Sequence, residues 1–282
     1  MSAFQKLNAF VFTLTCCLYL SACTQSADDS SNGANQVPPA PKPEVVQLNY
    51  SVVAQFPHDI TSFTEGFLVH DGQLFESTGA PDNLPQTRSL LGTVDLKTGK
   101  ISKKAEIDRS IYFGEGICFL GNKLFQLTYK NQIAFIYDAK TFKSIGSFNY
   151  ANAEGWSLTT DGKLLIMSDG TANLTYIEPE HYHVVKTLAV SENGVPQQHL
   201  NELEMINGFI YANIWLTNTI VKIDPSNGKI VGKLDLSSLT YEAHNKNPEA
   251  DVLNGIAFDD KNDKIYVTGK LWPNIYQINF PH

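Results

Sequence analysis

The chain has 282 residues, of which 43% are hydrophobic, 18% charged and 11% aromatic. That composition is globular and excludes a disordered, collagen-like or fibrous protein. With 21 Lys and Arg against 29 Asp and Glu the formal net charge is −8, which argues against nucleic acid as a partner, because phosphate binding needs a basic face.

In chain order, Met1–Lys6 supplies one basic side chain and Leu7–Leu20 is apolar and uncharged. This pattern predicts a secretory leader rather than a spanning helix. It ends in Leu20-Ser21-Ala22-Cys23, which resembles a bacterial lipobox. The resemblance implies that Cys23 is lipidated and becomes the first mature residue, with residues 1–22 as the signal peptide. Thr24, rather than Asp, follows the cysteine, a pattern that resembles sorting to the outer membrane. The expected location is therefore the bacterial cell envelope, lipid-anchored, at the outer membrane or facing the periplasm. Residues 23–45 are rich in Ser, Asn, Gln and Pro, include QVPPAPKPE and lack an apolar period, so they read as a flexible tether. Cys16 and Cys17 leave with the leader and Cys118 remains as a thiol in the apolar ICFL run, so no intrachain disulfide is expected.

From residue 46 to the C-terminus, short β-branched and aromatic runs alternate with Gly, Asn and Asp turns, and no long amphipathic helix stands out. Five segments share one outline: TEGFLVHDGQLFEST, GEGICFLGNKLFQLT, AEGWSLTTDGKLLIMS, NELEMINGFIYANIW and NGIAFDDKNDKIYVTGK. Four are followed by related strands, in GTVDLKTGKI, AFIYDAKTFK, LTYIEPEHYH and IVKIDPSNGK. A repeat of about 40–50 residues with four strands per unit predicts a β-propeller. The fold class is thus all-β, a five-bladed propeller. The last unit lacks a fourth strand, and Leu48–Phe56 is predicted to supply it and close the ring.

In such a ring the first strand of each blade lines a central channel. Glu65, Glu115, Glu154, Asn201 or Glu202, and Asn254 would converge there, with Thr78, Tyr129, Asp169, Trp215 and Lys270 at its mouth. Carboxylates, amides, an ammonium and aromatic rings around one concavity suit a small polar ligand with an apolar part. Asp169, in SDGT, also reads as a turn former. The residues alone leave three classes open: an enzyme acting on such a ligand, a divalent-metal-dependent lactonase using channel oxygen ligands, and a non-catalytic envelope propeller that binds partners. The seven His are scattered. His181 and His183 share a face of a predicted outer strand, where solvent is the expected surrounding, and no Cys–His cluster has zinc spacing.

YFGEG (Tyr112–Gly116), EGWSL (Glu154–Leu158), SDGT (Ser168–Thr171), LNELE (Leu200–Glu204), NIW (Asn213–Trp215), VLNGIA (Val252–Ala257) and VTGKLWP (Val267–Pro273) occur in this order, after FPHD (Phe56–Asp59). Together they resemble the plant- and bacterial-type glutaminyl-peptide cyclotransferases, or glutaminyl cyclases. That resemblance implies a five-bladed propeller that converts N-terminal Gln to pyroglutamate with release of ammonia. It implies catalytic residues at Glu115, Asn201 and Lys270 and substrate-binding residues at Phe63, Phe113, Trp156 and Trp215. Glu65 stands where the family usually has Gln, and Tyr129 where it usually has Trp; both are expected to bind substrate. The expected partners are peptides or proteins with N-terminal Gln, together with the membrane through the lipid anchor alone. No cofactor and no metal are expected, and the expected state is a monomer.

Overall fold

The computed structural model describes residues 45–282, so the leader, Cys23 and all of the tether but Val45 lie outside the described residues. Among those described, four-stranded antiparallel sheets recur five times. Blade one is Phe63–His70, Gln73–Gly79, Leu90–Val94 and Ile101–Glu106. Blade two is Gly114–Leu120, Lys123–Thr128, Ile133–Asp138 and Ser144–Asn149. Blade three is Ser157–Thr160, Leu165–Ser168, Asn173–Ile177 and Val184–Ala189. Blade four is Leu200–Ile206, Phe209–Ile214, Thr219–Ile223 and Ile230–Asp235. Blade five has Leu253–Asp259, Lys264–Gly269 and Asn274–Asn279 from the C-terminal end of the chain. Its fourth strand is Ser51–Pro57, antiparallel to the third, with Ser51 opposite Asn279 and Pro57 opposite Asn274.

The closing segment is shorter than the sequence suggested. Val46–Leu48 does not join blade five; it adds a parallel fifth strand to blade four, with Leu48 opposite Leu234. Leu48 is buried there among Leu234, Leu236 and Tyr276, so burial of one leucine splits the segment between two blades. Ser237–Lys246, after the outer strand of blade four, is a helix that the repeat reading does not contain. Asp235 Oδ1 accepts from the Ser237 backbone N–H at 2.9 Å, and the helix buries Leu239 and Ala243 between blades four and five.

Stability lies between the blades. One apolar cluster fills each of the five interfaces, for example Leu68, Phe75 and Leu91 against Ile117, Phe119 and Leu124. Another sets Phe67, Leu74 and Val94 against Tyr266 and Ile275. The inner strands contact one another in a closed ring, blade five meeting blade one. Two glycines permit that approach: a Cβ on Gly66 would lie 2.8 Å from Ile117 N, and one on Gly116 would lie 2.4 Å from Ser157 Cα. Glu65 and Glu115 immediately precede them, so the closest packing of the ring sits beside the carboxyls.

Candidate active site

Four inner strands carry a β-bulge at the same level, at Thr64–Gly66, Gly114–Ile117, Leu200–Leu203 and Leu253–Ile256. A bulge re-aims a side chain, and those at this level are Glu65, Glu115, Asn201 and Asn254. In blade three Ser157 stands beside Gly116, so Trp156, not Glu154, occupies the equivalent place. The sequence register for that blade was displaced by two residues, because Glu154-Gly155 imitates the Glu-Gly pairs of blades one and two.

Glu65, Glu115, Trp156 and Asn201 open into a cavity of about 640 Å³, whereas Asn254, expected in the channel, is buried behind Glu65 and does not line it. Phe63 and Phe113 meet edge to face at 6.1 Å between centroids, and Tyr129 lies 5.9 Å from Phe113. Across the cavity, Trp156 and Trp215 meet edge to face at 5.4 Å. Trp156 Nε1 donates to Glu154 Oε2 at 2.9 Å, and the ring packs on Gly170, where a Cβ would be 2.5 Å away. Phe113 needs Gly79 in the same way, since a Cβ there would come within 2.1 Å of its ring. Thr78, expected at the mouth, is not on the cavity wall. Its hydroxyl donates into blade one, to Arg88 O at 2.6 Å.

The polar end of the cavity is a buried charge cluster. Lys270 Nζ donates to Glu65 Oε1 at 2.6 Å and lies 4.6 Å from the Phe63 ring centroid. Asn254 Nδ2 donates to Thr64 O at 2.9 Å and to Glu65 Oε2 at 3.3 Å. Burial raises the Glu65 carboxyl, against the pull of Lys270. Burial raises Glu115 as well, and the Glu65 charge adds to it. The two carboxyls cannot both ionise cheaply in a dry site. Glu65 has the lysine and the asparagine, so of the two Glu115 is the carboxyl favoured to hold a proton. Asn201 lines the cavity, and its Oδ1 is buried with no hydrogen-bond partner among the described residues, which leaves an acceptor with an N–H still to bind.

Three rim residues, His199, Leu216 and Leu271, have left-handed backbones with φ of 65°, 62° and 59°. Their cross-links hold the loops: His199 N–H donates to Gly170 O, Trp215 N–H to His199 O and Leu271 N–H to Ser62 O. Strained backbone held by its surroundings is a mark of functional sites.

Residues 16–280 match the glutamine cyclotransferase family. The chain belongs to that family. It is 41% identical over 229 residues to the glutaminyl-peptide cyclotransferase of Arabidopsis thaliana, a match covering 80% of this chain and 70% of that protein. It is also similar to the crystal structure of Myxococcus xanthus glutaminyl cyclase, with a TM-score of 0.75 and 33% identity over 84% of this chain and 98% of that one.

All nine pocket residues expected for a cyclotransferase, Glu115, Asn201, Lys270, Phe63, Glu65, Phe113, Tyr129, Trp156 and Trp215, line the one cavity. Asp169 does too, while also forming the turn its motif suggested, since its Oδ1 accepts from Thr171 N–H at 3.0 Å. Sequence reasoning missed His199, Asp251 and Leu216, which line the wall together with Pro81. Pro81 belongs to the long loop after blade one's second strand. Arg109 fastens that loop, donating to Thr87 O at 2.6 Å and to Pro81 O and Pro85 O at 3.1 Å.

His58, of the FPHD motif, also escaped a role. It is buried beneath the charge cluster, with Nδ1 2.8 Å from Trp272 O and Nε2 3.1 Å from both Glu76 oxygens. Burial works against its positive charge, but Glu76, with the Trp272 carbonyl and Asp59, outweighs it and raises the imidazole above its ordinary value. Thr64 Oγ1 donates to Glu76 at 2.7 Å. The group thus ties the strand bearing Glu65 to the turn bearing Lys270.

Proposed function

We propose that the cavity closes the N-terminal glutamine of a peptide or protein into pyroglutamate with release of ammonia, Glu115 carrying the proton. The observation that carries the reading is the asymmetric carboxyl pair, both buried in the cavity, with Glu65 bonded to Lys270 and Glu115 without a cation of its own, so that burial and the neighbouring carboxyl favour the protonated form of Glu115.

The substrate's α-amine attacks its own γ-amide carbon, so the site need only select the folded rotamer. The amine must be neutral, and its ordinary pKa of about 7.7–8.0 makes that inexpensive near neutrality. As the new C–N bond forms, the γ-oxygen gains negative charge. Lys270 Nζ has N–H donors beyond the one given to Glu65, and these stabilise that oxygen. Asn201 Oδ1 takes an N–H of the substrate, which orients the amide. Glu115 gives its proton to the departing nitrogen as the C–N bond to ammonia breaks, and recovers one from the attacking amine. Phe63, Phe113, Tyr129, Trp156 and Trp215 enclose the glutamine methylenes and exclude water. Glu65 acts through Lys270 and Glu115, which revises the substrate contact expected for it.

The leader and lipobox residues support a globule anchored in a bacterial envelope through a lipidated Cys23, and the composition of residues 23–45 supports a tether holding the propeller clear of the membrane. The propeller acts as a monomer.

The test is conversion of a short peptide with N-terminal Gln, followed by mass spectrometry as loss of ammonia, with and without a chelator. Catalysed, chelator-insensitive loss is expected. No acceleration over the uncatalysed rate would overturn the reading, and activity abolished by chelation would favour a metal-dependent reaction in its place.

A further inference from the structure

The same six-residue loop joins the third and fourth strands of blades one to four: Asp95–Lys100, Asp138–Lys143, Glu178–His183 and Asp224–Lys229. In each, the first residue's N–H donates to the carbonyl of the sixth, at 2.9–3.0 Å. The fifth residue's N–H donates back to the first, and that fifth residue has a left-handed backbone: Gly99, Phe142, Tyr182 and Gly228. In each, the first side chain is a carboxylate that accepts a backbone N–H from within the loop. The loops are therefore one rigid device, and differences between them lie in the side chains they display.

Blades one, two and four place Thr98, Thr141 and Asn227 at the fourth position and Lys100, Lys143 and Lys229 at the sixth. Blade three instead places His181 and His183 there, both exposed. His181 Nδ1 and His183 Nδ1 each lie 3.4 Å from Glu178 Oε2. The three donor atoms lie within 4.8 Å of one another. For ligand bonds of about 2.0–2.1 Å, adjacent donors of a tetrahedral zinc site are about 3.3 Å apart. Each nitrogen-to-oxygen spacing matches that edge. The loop is also braced: the Tyr182 ring stacks on Phe148 at 4.3 Å, and Lys123 Nζ donates to Tyr182 Oη at 3.0 Å and to Pro179 O at 3.3 Å. Backbone N–H groups of Glu180 and His181 fix the carboxylate at 2.6 and 2.8 Å, as outer partners do for metal ligands.

We propose that Glu178, His181 and His183 bind a divalent first-row transition-metal ion on the outer part of blade three, with a remaining position open to water. Two imidazoles and one carboxylate suit zinc, copper or nickel rather than calcium or magnesium, which take oxygen ligands. The site is separate from the cavity and takes no part in cyclisation.

The test is zinc titration of the full chain by calorimetry in chelator-free buffer. The control is the double variant His181→Asn/His183→Lys, which carries the residues blade four uses in the same loop and so preserves it. One saturable zinc ion per chain is expected, with affinity at least about tenfold lower in the double variant and with magnesium failing to compete. Glutamine-peptide conversion by the double variant should equal that of the unaltered chain. Absence of saturable zinc binding, or equal affinity in the double variant, overturns the site. Loss of conversion in the double variant overturns its separation from the cavity.

Discussion

Replacing Lys270 with Met tests the charge cluster through stability alone. Lys270 and Glu65 side chains are 8% and 3% exposed and 2.6 Å apart. Removing the cation leaves Glu65 in a dry site with Asn254 as its close donor. Breaking a buried pair from one side costs about 3–5 kcal/mol, because the stranded charge, not the lost attraction, dominates. For a domain of this size each kcal/mol moves the melting point by about 2–4 °C, so a fall of roughly 6–20 °C is expected at pH 8. At pH 5.5 the fall should shrink, since a stranded Glu65 can take up a proton and become neutral. Adding Glu65→Gln should restore much of the loss, with a coupling of about 1–3 kcal/mol in the double-mutant cycle. The readout is thermal unfolding of the four proteins by circular dichroism at both pH values. A Lys270→Met melting point within about 2 °C of the unaltered chain at pH 8, or a double variant no more stable than the single one, would refute the reasoning.

Three more outcomes follow from the same geometry. Glu65, Glu115 and Glu202 are raised by burial, and burial lifts Glu204 to about 8. A carboxyl raised in the folded state gives stability that is complete below its unfolded value, about 4.3, and is lost as pH rises through the folded one. The melting point should therefore fall between pH 5 and pH 8.5, and a rise across that window would contradict the burial argument. Gly79→Ala forces the Phe113 ring to move, at about 1–3 kcal/mol for overpacking; kcat/KM should drop about tenfold or more, and unchanged kinetics would remove Phe113 from the pocket wall. Trp215→Leu removes the edge contact with Trp156, worth about 0.5–1.5 kcal/mol, and should raise KM by about two- to tenfold with smaller change in kcat; an unaltered KM would make Trp215 a packing residue.

The repeats made the architecture legible because each blade is built by the same local pattern of strand, turn and apolar alternation. What they could not show depends on contacts across the ring. The Lys270–Glu65 bond joins residues 205 positions apart, and it forms only when blade five closes against blade one. The register of blade three was misread because Glu154-Gly155 copies a local pattern whose structural place belongs to Trp156. The helix Ser237–Lys246 gave little signal because only Leu239, Thr240 and Ala243 are buried, too few for a continuous apolar stripe. Leu48–Phe56 looked like one strand because nothing local marks the change of sheet between Leu48 and Ser51. The pocket residues were legible chiefly through their motifs, and the rim residues His199 and Leu216 were not, because a left-handed backbone at a non-glycine position has no clear sequence sign.

The central claim is that Glu115 carries the proton between the attacking amine and the departing nitrogen. The direct measurement compares the unaltered chain with Glu115→Gln on a peptide with N-terminal Gln, following ammonia loss under saturating and limiting substrate. Gln keeps the size and the polar contacts of the side chain but cannot exchange a proton. Loss of general acid–base catalysis lowers kcat by about 10²–10⁴-fold, with KM changed little and the melting point preserved or raised, because one buried acid has been removed. A folded Glu115→Gln variant that turns over as fast as the unaltered chain would contradict the account.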